Sequence, residues 1–517
     1  MTRPALVLAC LGLLLLATPT PAQADERPVK PILVASAAGI GHPVPWASPS
    51  GEQLISFIRT GPGGGGTIGI RARSNGLAFG SFEALSSAAG PASPEIAFGP
   101  DGTAIALWGA GAAGTLAEQA IRPPGGPFGE PDQAGPCVGP VSVAASLRGE
   151  VLAACRAESD RSSPHSGWLG EAALPGPVSF ADELTPPTDD PLLVPFASWG
   201  SDGTSVAGFS YRTPESSETT IRARISGPGA SFVEEETIAP VVPSGELEAV
   251  GAAVLPDGTV AITATTESGS VLFAREPGAA QDFAGTALPE DSISPPYADR
   301  FGRLHFVVSS PSGVGSSPAW VRIRDLDGSV GDPIPIPLTG EDATIVEGGF
   351  RVRPGGTEYV VFRNAEGFFM TLRRPGPAAF SPPRRIAMAY PSDSVGSLAL
   401  TPTGDLLLAW SRRSGAGVER LWLGGVDQGN RPEITRVSVP KVVIRGRTAR
   451  LSARVTDPMG VDRVVWRVDG GRRVVGLQVR LRFERPGRKR VTVTATDRAG
   501  NRSIRTRSVK VIEARGR

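Results

Sequence analysis

The chain has 517 residues, with 52 lysines and arginines against 51 aspartates and glutamates, 65 glycines and 50 prolines. This length excludes one ordinary core unless the fold is a barrel or a repeat array. The glycines and prolines fall between short alternating apolar runs and no long stretch carries a helical apolar period. That excludes a mainly helical chain and predicts many tight turns between strands.

Arg3 precedes an apolar run from Ala5 to Ala17, and the small or polar segment Thr18–Ala24 ends in Ala22-Gln23-Ala24. This is the pattern of a secretory signal peptide over residues 1–24, with Asp25 as the mature N-terminus. The apolar run is too short to span a bilayer. Cys10 lies inside it, too early for a lipid anchor, and no later segment is long and apolar enough to cross a membrane. The expected location is secreted, extracellular or cell-envelope-associated. Cys137 and Cys155 remain after cleavage, and an even pair in an oxidising compartment predicts one disulfide.

From residue 25 to 428 one pattern recurs: an apolar strand, a turn centred on glycine, and a second apolar strand. Its copies are WASPSGEQLISF, IAFGPDGTAIALW, VAASLRGEVLAAC, ASWGSDGTSVAGF, AAVLPDGTVAITA, YADRFGRLHFVV, FRVRPGGTEYVVF and LALTPTGDLLLAW. The turn glycines, Gly51, Gly102, Gly149, Gly203, Gly258, Gly302, Gly356 and Gly404, recur at a mean spacing of about 50 residues. Asp-Gly between apolar runs predicts a hairpin, read here as a type I′ turn. A third strand follows, often with arginine near its end, as in TIGIRARS and AWVRIRDLDG, then a short fourth strand. Four strands per repeat predict the blades of a β-propeller. The fold class expected is all-β, a propeller of eight blades (seven if one copy merges with its neighbours), followed by an Ig-like β-sandwich. A set of separate sandwiches is the competing reading of the repeat region. The last copy has only three strands, and ILVASAAGIGHPVPWASPSG mimics a fourth strand leading into a first. Residues 31–37 are therefore expected to complete the last blade, which removes an open sheet edge.

Five loops after second strands begin with arginine: Arg59, Arg156, Arg212, Arg363 and Arg412. A ring of cations on one rim is a candidate ligand-binding set for an acidic ligand. The alternative is solvated surface arginines paired with nearby carboxylates.

From residue 431 to 513 the texture changes to strict alternation. Leu451, Ala453 and Val455 oppose Arg450 and Arg454; Leu477, Val479, Leu481 and Phe483 oppose Arg480 and Arg482; Val491, Val493 and Ala495 oppose threonines. Some seven strands in this length predict a sandwich with Trp466 in its core. VTDPMGVDRVVWRVDGG and VTVTATDRAGNRS resemble the paired signatures of bacterial Ig-like and PKD-type extracellular modules. The resemblance implies spacing, adhesion or carbohydrate and cell-wall contact, with no fixed catalytic set. The propeller region resembles secreted bacterial propellers in general plan. Its S-D-G-T turn resembles an Asp-box, but Asp and Gly are adjacent here, so sialidase activity is not carried over.

Residues 431–517, including a basic tail at 514–517, hold 24 lysines and arginines against 7 acidic residues, which leaves 28 against 44 in the rest. A basic module on an acidic body is suited to polyanions, with Arg450, Arg454, Arg480 and Arg482 as candidate contacts. The partners expected are cell-wall or acidic polysaccharide, with no specific nucleic acid, in a monomer. Solubility, or docking on the acidic propeller, is the competing use of the charge.

Catalytic and metal motifs are missing from the sequence. His42, His165 and His305 lie in different repeats without metal spacing. Gly61 to Gly66 match G-x-G-x-x-G but run into a strand rather than a helix. Asp325, Asp327 and Asp332 lack EF-hand spacing and read as a turn. No metal, cofactor or catalytic residue is expected. The functional expectation is a non-enzymatic binding or scaffold protein, with a carbohydrate-active propeller enzyme (glycosidase or polysaccharide lyase) as the alternative.

Overall fold

The computed structural model describes residues 26–513 except 62–65, 75–77, 87–92, 110–115, 138–140, 159–164, 184–193, 213–218, 229–235, 243–248, 267–268, 279–282, 311–317, 341, 377–378, 389–393, 414–417, 470 and 472. The predicted signal peptide and the basic tail lie outside the described residues. Among the described residues, Arg27 to Asp427 form eight antiparallel sheets; seven are meanders of consecutive strands and the eighth borrows its outer strand from the N-terminal segment. Blade 1 runs Gly39–Ala47, Gln53–Thr60, Gly66–Arg73 and Glu83–Ala84, and blades 2 to 7 repeat this order, with the first strand of blade 6 split into Ser292–Ile293 and Tyr297–Ala298. First strands of neighbouring blades touch one another: 39–47 meets 394–400, and 141–145 meets 194–199. They line the centre of a β-propeller, and eight blades replace the seven-blade alternative.

Local chemistry makes each hairpin. All eight turn glycines have positive φ, from 79° to 98°, a region that costs any residue with a Cβ. The flanking Asp101, Asp202 and Asp257 do not share it, so the turn is not type I′. Instead Gly102 N–H donates to the Gly99 carbonyl at 3.0 Å and Gly99 N–H donates to that of Thr103 at 2.8 Å. This is a three-residue loop: a type I turn followed by a left-handed glycine. The aspartates stabilise it by accepting from the backbone N–H two residues on, Thr103 to Asp101 at 2.8 Å and Thr259 to Asp257 at 2.9 Å.

Blade 8 is closed by the N-terminal strand. Arg27–Ala37 pairs antiparallel with Glu419–Asp427, beginning four residues before the expected segment. Val29 and Val34 are buried beside Leu421 and Leu423. Apolar side chains from adjacent blades share clusters throughout, as Tyr359 and Phe368 of blade 7 do with Leu408 and Trp410 of blade 8.

Cys137 and Cys155 form a disulfide, with Cα atoms 5.7 Å apart. It ties the segment leaving blade 2 to the second strand of blade 3. Its bridge encloses an 18-residue separation, worth about 3 kcal/mol by loop entropy. The Cys137→Ser/Cys155→Ser variant is expected to unfold at correspondingly lower guanidinium, and an unchanged midpoint would refute this.

From Glu433 to Ile512 the chain forms two sheets sharing one core. Glu433–Ser438, Thr448–Thr456 and Gln478–Arg482 make the smaller; Val442–Ile444, Arg502–Ile512, Gly487–Asp497, Val461–Val468 and Val474–Val475 make the larger. Trp466 is fully buried and its indole donates to the Gly476 carbonyl at 2.8 Å. The predicted alternation holds for Leu451, Ala453, Val455, Val479, Phe483, Val491, Val493 and Ala495. Leu477 departs from it: the strand starts one residue later, and Leu477 is 44% exposed.

The sandwich sits on blades 1 and 8. Met459 and Ala499 pack into the cluster of Val29, Ile55 and Phe57. Gln53 donates to the Pro458 carbonyl at 2.6 Å, and Lys30 N–H donates to that of Arg498 at 3.3 Å.

Candidate functional site

The predicted rim arginines lie on the second strands of blades 1, 3, 4, 7 and 8. Where their contacts are described, these are local: the Arg59 guanidinium lies 5.5 Å over the Phe82 ring, and Arg412 donates to the Met388 carbonyl at 2.8 Å. Among the described side chains, Arg59, Arg156, Arg363 and Arg412 do not line the cavity of about 890 Å³ at the other mouth of the channel, where the hairpin turns gather; the Arg212 side chain lies outside the described residues. That mouth is lined by prolines and small residues, with Arg300 and Arg353 as its cations and no carboxylate or histidine among the described lining residues.

The arginines near third-strand ends serve the core. Arg122 of blade 2 is buried on Glu52 of blade 1, at 2.5 and 2.8 Å. Arg322 donates twice to Glu290, at 2.8 and 2.6 Å. The most enclosed group joins blades 6 and 7. His305 Nδ1 lies 2.6 Å from Glu358 and Nε2 lies 3.2 Å from Asp299, and Arg373 Nε donates to Glu358 at 2.5 Å. Burial disfavours an imidazolium, but the hydrogen bonds and charges of both carboxylates outweigh it and raise the His305 pKa. Asp299 is likewise penalised by burial, yet His305 and Arg303 bring it down to about 2. Both ring nitrogens are engaged by carboxylates, so this histidine is a bridge between blades. The Asp325-Asp327 segment is an ordinary turn: Asp327 accepts from Ser329 N–H at 2.9 Å.

The larger sheet of the sandwich builds a different surface. Its inner side chains are core valines and Trp466, so alternation sends their neighbours outward. Strand register sets these in rows: Arg467, Thr492 and Thr506; then Val465, Thr494 and Ile504; then Arg463, Thr496 and Arg502. Arg488 and Arg490 extend the first end. The result is an open groove of about 1250 Å³ with threonine hydroxyls along its floor and guanidinium groups at both ends. Arg473, Lys489 and Arg507 also line it, and Asp469 is the one carboxylate among its described lining residues. The Arg490 N–H and the Lys489 ammonium hold Asp469 below the usual carboxylate range. The arginines singled out from sequence, Arg450, Arg454, Arg480 and Arg482, are exposed on the outer face of the smaller sheet, where Arg450 and Arg480 lie side by side in register. Both faces carry the same alternation signal, and sequence does not tell which is concave.

Docking of the sandwich brings together Asp427, Asp457 and Asp497. Sequence reasoning passes over them because they lie 30 and 40 residues apart and come from two folding units. The local signal is a shared one: each is followed two or three residues on by a glycine of positive φ, Gly429, Gly460 and Gly500.

No protein-family model and no curated protein matches the chain. Among solved structures it is similar to puromycin hydrolase, at 16% identity and a TM-score of 0.41, covering 73% of this chain and 60% of that one. The Dos1 propeller matches at 12% identity and a TM-score of 0.47, covering 77% and 94%. Acylaminoacyl peptidase from Pyrococcus horikoshii matches at 11% and 0.40, covering 72% and 49%. The chain thus spans about three fifths and one half of the two enzymes' lengths, and at these identities the likeness concerns the fold alone. The expectation of a non-enzymatic binding or scaffold protein is corrected here. The proteins with similar propellers include a hydrolase and a peptidase, and a propeller by itself is no sign of a non-enzymatic role.

Proposed function

We propose that this chain binds an acidic polysaccharide through the basic groove of its C-terminal sandwich. The observation that carries this reading is the sign asymmetry of the groove: among its described lining residues, eight cationic side chains and one carboxylate, already paired with Lys489, surround a hydroxyl-lined floor. Arg463 and Arg467 stand about 13 Å apart along their strand, so the two reach separate, non-adjacent carboxylates of one extended uronic-acid chain. Threonine hydroxyls between the cations suit sugar hydroxyls. No aromatic side chain is among the described lining residues, so nucleobases find no stacking platform, which favours polysaccharide over nucleic acid. The leader-like N-terminus and the disulfide support an extracytoplasmic setting, where cell-wall polyanions occur.

Full-length protein is expected to bind polygalacturonate and not dextran, with affinity falling steeply between 50 and 500 mM salt, as screening of exposed charges requires (roughly a threefold shorter Debye length). Arg467→Ala/Arg490→Ala is expected to weaken binding at least tenfold, and Arg450→Ala/Arg454→Ala less than threefold. Salt-insensitive binding, or a larger loss from the second pair, would overturn the assignment to this groove.

A further inference from the structure

The junction between propeller and sandwich holds an unusual group of charges. Asp427 ends the third strand of blade 8, Asp457 follows the strand Thr448–Thr456, and Asp497 ends the strand Gly487–Asp497. Their side chains are 0%, 1% and 1% exposed, and one oxygen of each lies within 4.8 Å of the others.

The two oxygens of each carboxylate are used differently. Oδ1 of Asp427 accepts from Gly429 N–H at 2.6 Å and from the Asn501 amide at 3.1 Å. Oδ1 of Asp457 accepts from Met459 and Gly460 N–H, both at 2.9 Å. Oδ1 of Asp497 accepts from Asn501 N–H at 2.8 Å. These bonds fix the three side chains in place. Oδ2 of each is buried and has no hydrogen-bond partner. A buried acceptor left alone is costly, and three converging ones compound the cost by mutual repulsion.

The surroundings do not resolve this. Arg73, the buried guanidinium nearby, is attracted by the Asp457 charge, but its hydrogen bonds go to the Gln53 side chain at 2.7 Å and the Met459 carbonyl at 3.4 Å. Asp405, the next carboxylate, is fully engaged. It accepts from Gln428 N–H at 2.9 Å and from the Asn430 amide at 3.2 Å, and on its other oxygen from the Thr403 hydroxyl at 2.6 Å. It shares none of the unpaired character of the three. Burial, then the neighbouring carboxylates, pushes Asp427 up to about 7 and Asp457 up to about 8.

We infer that Asp427, Asp457 and Asp497 form a calcium site that clamps the sandwich to the propeller. The donor set is all oxygen, with no histidine or cysteine, which suits a hard cation rather than zinc. Calcium–oxygen distances of about 2.3–2.6 Å put two ligands of one ion at most about 5 Å apart, which the 4.8 Å limit satisfies. One ligand comes from the propeller and two from the sandwich, so the ion joins the two units at the point where Met459 and Ala499 already pack on the propeller core.

Equilibrium dialysis of the chelator-treated full chain with calcium-45 at pH 7.5 tests the site. One ion per chain is expected, together with a rise in the melting temperature on adding 1 mM calcium chloride. Asp457→Asn removes a repelling charge while keeping the local acceptor, so it folds. It is expected to lose at least tenfold in calcium affinity, to melt at or above the native chain in chelator, and to melt below it in calcium. That reversal of order separates a cation site from a cluster held together by shared protons. Asp497→Asn, measured in the same way, gives a second reading. Absence of bound calcium, binding unchanged in both variants, or an equal shift with magnesium chloride alone would overturn the assignment.

Discussion

Glu358→Ala is expected to destabilise the chain by about 3–5 kcal/mol, the range for breaking a buried ion pair by removing one partner. Glu358 is fully buried at the start of the second strand of blade 7, opposite Arg373 in register. It is the one group that faces both His305 of blade 6 and Arg373. Alanine would leave the Arg373 guanidinium in the core without its anion and His305 with Asp299 as its remaining carboxylate. The interaction also has a pH signature. His305 has its pKa raised in the folded chain, so its contribution is complete below its ordinary value of about 6.5 and is lost as pH rises through the folded pKa. Asp299 is held down to about 2. Its contribution is present above its ordinary value of about 3.9 and is lost as pH falls toward 2. The network is therefore strongest from about pH 4 to 6.5. Guanidinium unfolding of the native chain at pH 5.5 and pH 8.5 should show this decline, and Glu358→Gln should reduce it. A variant within about 0.5 kcal/mol of the native chain, in the range of an ordinary surface substitution, would disprove the role assigned to Glu358.

Deleting Arg27–Ala37 is expected to make the chain self-associate, with concentration, more strongly than the full chain does. This strand covers Glu419–Asp427, the outer strand that the chain's own sequence supplies last to blade 8. Without it a nine-residue strand of mostly apolar character, ERLWLGGVD, becomes an open edge. Unpaired backbone donors and acceptors on such an edge template pairing with another chain. Val29 and Val34, buried against Leu421 and Leu423, would also leave the cluster and expose it. Size-exclusion chromatography over a hundredfold range of concentration is the measurement. Monomeric elution throughout would mean that the last blade does not depend on this closure.

How far these features can be seen in advance depends on how local their causes are. The eight hairpins are legible because a glycine at a left-handed position, with an aspartate directly before it in three of them, acts within five residues. The turn type is not legible in the same residues: Asp-Gly suits a two-residue type I′ loop as well as a three-residue loop, and the hydrogen-bonding of Gly99 to Thr103 decides between them. Closure by the N-terminal strand could be read because that segment copies a junction found elsewhere in the chain. The third-strand arginines were visible as a pattern, but their partners Glu52, Glu290 and Glu358 come from turns or strands at separations of 70, 32 and 15 residues.

An all-β repeat array, its turn positions, its closing strand, a cysteine pair and an alternating basic segment with Trp466 inside all follow from the order of the amino acids. Each rests on contacts within a hairpin or on a period of two along a strand. Which basic face forms the groove, and that Asp427, Asp457 and Asp497 share one buried space, follow from packing instead. Those depend on the curvature of a five-stranded sheet and on the docking of two units. Convergence in space of residues far apart in the chain leaves no periodic mark for sequence reasoning to detect.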